Sequence, residues 1–402
     1  MTRALVIGGG VAGPVAAMAL QKAGIDATVH EARPAATDDV GAWLGVQANG
    51  LDALRSIDAD RAVLDVGFPT PVIEFRSGTG KVLGEIHATG PPPAGTVGLS
   101  MRRAELYRAL HEEALRRGVD VRYGARLVDA HDTEDGVTAV FADGASDSAD
   151  LLIGADGVRS VVRSLVDPGA PPPRFVPVLN TGGYSAHVPA GAEVGRLTMV
   201  FGRRAFFGYL RAPSGGTWWF ANPPATREPA PDEVAGTSDA EWRARLHELY
   251  RDDRSPAVDL VEATRDPLRG WATYDVPTVR RWHRGRMVLI GDAVHATSPA
   301  SGQGSSLALE DAVVLARCLR DLPVPEAFAV FEGLRRERVE RVVAQGFGVS
   351  SAKSPPPIGR LARDLLMPVV LRRAAARGRD QQAWVRAHHV DWDAPVAGEG
   401  AA

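Results

Sequence analysis

Disulfides are the first thing this sequence rules out. A single cysteine, Cys318, among 402 residues excludes an internal disulfide framework, a redox-active disulfide and a cysteine-built zinc or iron–sulfur site. Lysine is nearly missing as well: Lys22, Lys81 and Lys353 are the only three, so the basic charge is arginine. Neither sign of charge dominates. The formal net charge is −3, which gives no bulk electrostatic reason to expect a nucleic-acid partner or a membrane surface. Long apolar runs are absent too. Ala4–Ile7 is too short for a signal-peptide core or a membrane span, and the longest apolar stretches elsewhere carry charges within a few residues. The expected location is the cytoplasm. No internal repeat is visible. What remains is ordinary for a water-soluble globular chain: 45% hydrophobic and 24% charged residues, enough for two or three packed layers.

Residues 4–31 read as strand, glycine turn, helix and strand. Ala4–Ile7 suits a buried parallel strand, the helix from about Val11 to Lys22 stops at Gly24, and Ala27–Glu31 is the next strand. This βαβ opening implies a right-handed crossover in a parallel sheet. A helix is expected over about 103–117 and a strand over 119–123, with further strands over 135–142 and 150–155. From about 171 to 272 alternating and aromatic runs such as Leu197–Phe201 and Thr217–Ala221 predict a mostly antiparallel sheet. After Met287–Ile290 the pattern is helical to the end, broken at Pro355–Pro357, and the residues from Ala394 onward read as disordered.

Three segments carry chemistry. Gly8-Gly9-Gly10-Val11-Ala12-Gly13 fits G-x-G-x-x-G directly after a strand and opens a helix. The first glycine permits the tight turn, the second lets a pyrophosphate approach the backbone, and the third lets helix and strand pack closely. The helix start supplies free N–H groups and a positive dipole end, with Pro14 tolerated in the first turn. Glu31, closing the second strand, suits ribose hydroxyls. The motif says dinucleotide without choosing between FAD and NAD. Gly154-Ala-Asp156-Gly157 follows a second strand, and Asp156 suits a ribose, a flavin-bound water or a structural backbone amide in a plain turn. Gly291-Asp292-Ala-Val-His295 follows a third, leading through Gly302-Gln303-Gly304 into a helix from about Ser305. The Asp292 carboxylate suits a polyol, and the helix start can stabilise negative charge. Its alternative is a capped turn with Ser305 or Ser306 as the cap.

In order and sequence these segments resemble the p-hydroxybenzoate hydroxylase family of single-component flavin monooxygenases, to which salicylate hydroxylases and tetracycline-inactivating monooxygenases belong. The resemblance covers nearly the whole chain. It implies an α/β fold: a Rossmann-type FAD-binding domain (1–70, 97–172, 273–345), an inserted, mostly antiparallel substrate domain (71–96, 173–272) and a C-terminal helical segment (346–402). It further implies that Gly8, Gly10, Val11, Ala12, Gly13 and Glu31 meet the ADP part of FAD and that Asp156 lies by FAD and the pyridine nucleotide. Asp292, Gly302, Gly304 and Ser305 would lie at the ribityl and ring side. Arg103, in an R-x-x-L helix start, would lie near the pyrophosphate (Arg102 in the other register), and the backbone of Leu127 near the adenine. Two departures stand out. Ser306 occupies a position where the family usually has asparagine, and the loop Gly41–Gly45 is only loosely similar, with Trp43 expected to pack.

The family's activity would be NAD(P)H-driven flavin reduction, formation of a flavin C4a-hydroperoxide and hydroxylation or epoxidation of a small aromatic or polycyclic substrate. A lone G-x-G-x-x-G implies that NAD(P)H visits transiently. No protein nucleophile is then needed, and His295 is expected to hold the Gly-Asp turn. Aromatic residues crowd the second domain, and Tyr184, Phe207, Tyr209, Arg211 and Trp219 are the substrate-contact candidates. The rivals are a reductase of the same fold, a halogenase (whose W-x-W-x-I-P signature Trp218-Trp219-Phe220-Ala-Asn222 does not match) and a ligand carrier without turnover. No metal is expected, and nothing in the sequence demands an assembly beyond a monomer or weak dimer.

Overall fold

The computed structural model describes residues 2–34, 43–87, 96–351, 353, 357–376 and 382–397. Its organising element is a six-stranded sheet in the spatial order His283–Arg284, Met287–Leu289, Leu151–Gly154, Arg3–Ile7, Asp26–Glu31, Asp120–Tyr123. All neighbours are parallel except the antiparallel edge pair at His283–Arg284. The central strands are apolar on both faces, as a parallel sheet covered on both sides requires: Ala4, Leu5, Val6, Leu151, Leu152, Ile153 and Val288 are fully buried. The helices Ala12–Lys22, Arg103–Arg116 and Gly304–Asp321 share this core. So does a three-stranded antiparallel sheet that contributes Val137, Ala139 and Phe141. Gly24, at φ +80°, ends the first helix as expected.

This arrangement brings the three chemical segments together. The strands ending at Ile7, Gly154 and Leu289 lie side by side and run the same way, so their following turns emerge along one edge. That edge, at the carboxyl ends of parallel strands, is where open α/β sheets hold ligands.

The second sheet has seven strands in the order Gly270–Asp275, Arg174–Ser185, Thr217–Asn222, Phe206–Arg211, Arg196–Phe201, Val72–Ser77, Val82–His87. It is antiparallel apart from the pairing of Arg196–Phe201 with Val72–Ser77. Strand alternation gives it two unlike faces. One face carries Phe207, Tyr209 and Trp219 and is sealed by the helices Asp239–Tyr250 and Ala257–Glu262. Tyr250 donates its hydroxyl to the Phe206 carbonyl at 2.8 Å, and the Trp219 indole N–H bonds to Thr264 Oγ1 at 2.8 Å. The other face carries Tyr184, Leu197, Met199, Phe206, Leu210, Trp218 and Phe220, and it meets Trp43 and Phe68 from the first half of the chain.

One sequence expectation is extended and one corrected. The stretch 171–272 is the mostly antiparallel sheet expected, and it also contains the two sealing helices; Ser238 and Glu241 form a capping box ahead of Trp242, Leu246 and Tyr250, spaced four apart on one helix face. The residues from Ala394 were expected to be disordered, yet Arg320 donates to the Ala394 carbonyl and the Val396 amide donates to Asp321, leaving Val396 buried. No helix among the described residues is long and apolar enough to cross a membrane.

Because Trp219 is wholly enclosed, Trp219→Ala leaves a large cavity and removes the indole donor to Thr264, whose hydroxyl keeps only its bond to the Leu260 carbonyl. Urea denaturation should show a loss of about 3–5 kcal/mol. The same truncation at half-buried Phe220, on the other face, should cost clearly less; equal losses would contradict the assignment of faces.

Candidate active site

The glycine turn has three glycines with three different surroundings. Gly8 has φ +109°, and a Cβ there would lie 2.4 Å from the Ala155 carbonyl oxygen, so the first turn can approach the second only without a side chain. A Cβ on Gly13 would lie 1.9 Å from the Gly8 carbonyl oxygen, which fixes the close approach of helix to turn. A Cβ on Gly10 would meet nothing within 4 Å. Open space over a glycine at a helix N-terminus is what a phosphate needs to reach backbone N–H groups. Val11 and Ala12 start that helix. Glu31 accepts the Gly9 amide at 2.6 Å and the Arg33 amide at 2.8 Å, which holds the acid beside the turn. Sequence reasoning missed His111, whose imidazole bonds to the Gly9 carbonyl on one side and to the Tyr123 hydroxyl at 2.9 Å on the other. Leu127 is buried two residues beyond Ala125, whose amide donates to the Glu31 carbonyl.

The two acidic turns behave differently. Asp156 spends both carboxylate oxygens on the start of the helix Val161–Val166, accepting from Ser160 Oγ and from the Val161 and Val162 amides. Of the readings open for it, the structural one matches these bonds. Asp292 accepts no hydrogen bond from the described residues. It is reachable by solvent yet ringed by protein atoms, so it lies on the floor of a cleft; this enclosure raises its pKa, while His295 and Arg103 pull it down. Arg103 and Asp292 therefore face one cleft, from separate elements. Arg102 instead stacks on Tyr184 at 4.4 Å.

The bonds that would otherwise burden Asp292 are taken by its neighbours on the helix Gly304–Asp321. Asp311 accepts the Gly291 amide at 2.9 Å and bonds to His295 Nε2 at 2.5 Å, so His295 holds the turn. Arg335 bridges Asp311 and Glu310 at 2.7 and 2.6 Å, and Arg338 adds a second cation to Glu310. Asn49 donates to Glu310 and Gln303. Burial alone would raise both acids; the arginines and His295 outweigh it and hold each at about 2. At the start of the same helix, Ser305 donates to the Gly45 carbonyl at 2.7 Å and Ser306 accepts the Gln47 amide at 2.9 Å. Gly50 comes so close that its Cβ would lie 2.9 Å from Ser306 atoms. The small serine is matched to that contact. Gly302, left-handed at φ +62°, and Gly304 lead into this helix.

Opposite the cleft, Trp43 packs on Phe220 at 5.6 Å and Trp218 at 6.3 Å, and its buried indole N–H has no partner among the described residues. Gly41 and Ala42 lie outside the described residues. Tyr184, Met199 and Phe220 stay half-buried on this face, whereas Phe207 and Trp219 on the other are at 0% exposure. That corrects three substrate candidates: Phe207, Tyr209 and Trp219 are core under the helices, because adjacent positions of one strand face opposite sides. Arg211 is exposed at a strand end, bonded to the Ala192 carbonyl. Tyr184 remains; burial pushes its phenol up to about 12, so it keeps its proton as a hydrogen-bond donor. Among the described residues no cluster fits a metal ion.

The family model described as FAD binding domain matches residues 1–323. The aurachin C monooxygenase/isomerase of Stigmatella aurantiaca is 32% identical over 349 residues, 86% of this chain and 88% of that protein. The FAD-dependent urate hydroxylase of Klebsiella pneumoniae is 32% identical over 351 residues, covering 85% and 88%. The crystal structure of Klebsiella pneumoniae HpxO with FAD and uric acid superposes with a TM-score of 0.84 at 26% identity, covering 96% of this chain and 97% of that one.

Gly10→Ala should leave the unfolding transition of the FAD-free protein unchanged while abolishing flavin retention, read from the absorbance of the purified protein. Gly13→Ala should damage both. Truncating Arg335 to Met removes the cation that two buried carboxylates share and should cost about 3–5 kcal/mol. The pH dependence follows in sign. Glu310 is held below its ordinary 4.5, so its contribution is complete above that pH and is lost as pH falls toward about 2. Melting temperature against pH should show this fall in the wild type and a shallower one in Arg335→Met.

Proposed function

The chain belongs to the FAD-dependent monooxygenases of the aromatic-hydroxylase type, and from that membership we propose that it hydroxylates or epoxidises a small aromatic or polycyclic compound with NAD(P)H and O2. The observation that carries this reading is the cleft itself, which has nucleotide-binding geometry on one side and a half-buried aromatic face on the other. Bound FAD would supply the redox chemistry and oxygen activation.

The residues' own tasks follow from their positions. Gly8, Gly10, Gly13 and the amides at Val11 and Ala12 would cradle the pyrophosphate, with Arg103 as its counter-charge. Glu31 would meet the ribose, and the segment at Leu127 would lie against the adenine. Asp292, left without a partner, would accept from the polyol chain. The turn Gly302–Gly304 and the N–H groups at Gly304 and Ser305 would stabilise negative charge at the ring. Asp156 acts by fixing the second turn against Gly8. Trp43, Trp218 and Phe220 would exclude water from the reacting face, and Tyr184 would orient a polar substituent. The chain divides between FAD-binding and substrate portions at the boundaries read from its sequence, and NAD(P)H visits without a stable site of its own. The substrate of the urate hydroxylase is a planar, electron-rich ring, the kind of molecule this face suits.

The test begins with the absorbance spectrum of the purified protein, followed by NAD(P)H oxidation with and without a panel of phenols and polycyclic aromatics under 18O2. The expected result is bound FAD, ligand-stimulated oxidation and a product carrying one 18O atom. Stimulated oxidation with reduced product and no label would move the assignment to a reductase. Absence of FAD after reconstitution would overturn it outright.

A further inference from the structure

Lys353 is buried to 6% exposure on the aromatic face of the seven-stranded sheet. Its ammonium donates to Asn222 Oδ1 at 2.6 Å and sits 4.5 Å from the centroid of the Phe206 ring, and it has no carboxylate partner among the described residues. A buried cation without a counter-charge is costly, and proteins rarely keep one without a use. Its setting is also constructed. Asn222 donates to Asn180 at 2.6 Å and Asn180 donates to Thr273, so this relay turns the Asn222 oxygen toward the lysine.

Position connects the lysine to the cleft. Asn222, Phe220 and Trp218 alternate along one strand and share a face, and Phe220 and Trp218 are the residues that meet Trp43. Three residues before the lysine, Ser350 bonds to Ser298 at 2.5 Å, in the segment that follows the Gly-Asp turn. The lysine thus ends an aromatic strip about 13 Å long, four residues at about 3.3 Å each.

Building on the proposed monooxygenase reading, we propose that Lys353 is the anion-binding residue of the substrate site and that the substrate is an aromatic acid, held by its carboxylate or an equally acidic ring oxygen. A ligand anion at the lysine supplies the missing counter-charge, while the ring lies over Phe206 and Phe220. Burial lowers the lysine to about 7, with no charged group among the described residues acting on it, so ligand binding and proton uptake are linked.

The probes are two matched pairs, benzoate with benzamide and salicylate with salicylamide, titrated into the FAD-loaded enzyme and read by perturbation of the flavin spectrum. Wild type should bind each acid about tenfold or more tightly than its amide. That preference should shrink as pH rises through about 7, because the unliganded lysine then loses its proton. Lys353→Met should keep its FAD and lose the preference, and Lys353→Arg should retain part of it. No preference in wild type, or a preference that survives in Lys353→Met, overturns the proposal. The wild-type comparison stands even if the methionine variant fails to fold. The readout needs no turnover: acids that bind as expected but take up no oxygen would refute the proposed reaction and support the role of the lysine.

Discussion

The structure depends on one buried ionic cluster. Glu310 and Asp311 sit side by side inside the protein at 0% exposure, and two carboxylates there are tolerable only because Arg335 and Arg338 reach them from the helix Val324–Ser351. The same oxygens also take the Gly291 amide, His295 and Asn49. Arg338 in turn donates to the Trp384 and Val385 carbonyls, which ties in the end of the chain. The positions of the Gly-Asp turn, the helix that follows it, the helix Ala48–Arg55 and the C-terminal segment are therefore set by one requirement, that every buried charge be matched. A consequence is that Asp292, next to all this pairing, is excused from structural duty.

Asp156 and Asp292 show how far sequence can go. Both follow an apolar strand and precede a helix, and in sequence each is equally a cap or a ligand-binding acid. The deciding information lies elsewhere: Ser160 and two free amides claim Asp156, whereas Asp311, twenty residues beyond Gly291, relieves Asp292. The conformation of the glycine turn was legible because its constraints are local. Gly8 and Gly13 each answer a steric question posed within the motif or by the adjacent turn, while a Cβ on Gly10 would meet open space. The arrangement of parallel and antiparallel sheets was legible for a similar reason, since continuous apolar runs and alternating aromatic runs are strand-scale patterns.

The aromatic residues of the second sheet were not legible as a site. Phe206, Phe207, Trp218, Trp219 and Phe220 form runs with no polar alternation, because both faces of the sheet are covered. Which face belongs to the helices depends on recognising Asp239–Tyr250 as a helix, and its Ser238–Glu241 capping box was the available signal. With that helix assigned, Trp242, Leu246 and Tyr250 demand an apolar sheet face, and the alternate residues Tyr184, Trp218 and Phe220 are left for the cleft.

An unmatched polar group is informative here by its position, since buried groups without a hydrogen-bond partner, the Trp242 and Trp282 indole N–H groups among them, also occur away from the site. His111, His295, Arg163 and Arg243 each close hydrogen bonds with backbone or acid partners. Among the described residues, three groups bordering the proposed site lack such a partner: Asp292 has no donor, the Trp43 indole N–H no acceptor, and Lys353 no anion. They come from the Gly-Asp turn, from the strand Trp43–Val46 and from just beyond the helix Val324–Ser351, segments far apart in sequence. Folding alone gives no reason for these three to border one proposed site. A ligand set with a hydroxyl-rich chain at one end and an acidic ring at the other would give one, and it would assign polar recognition to positions where the protein's own pairing stops.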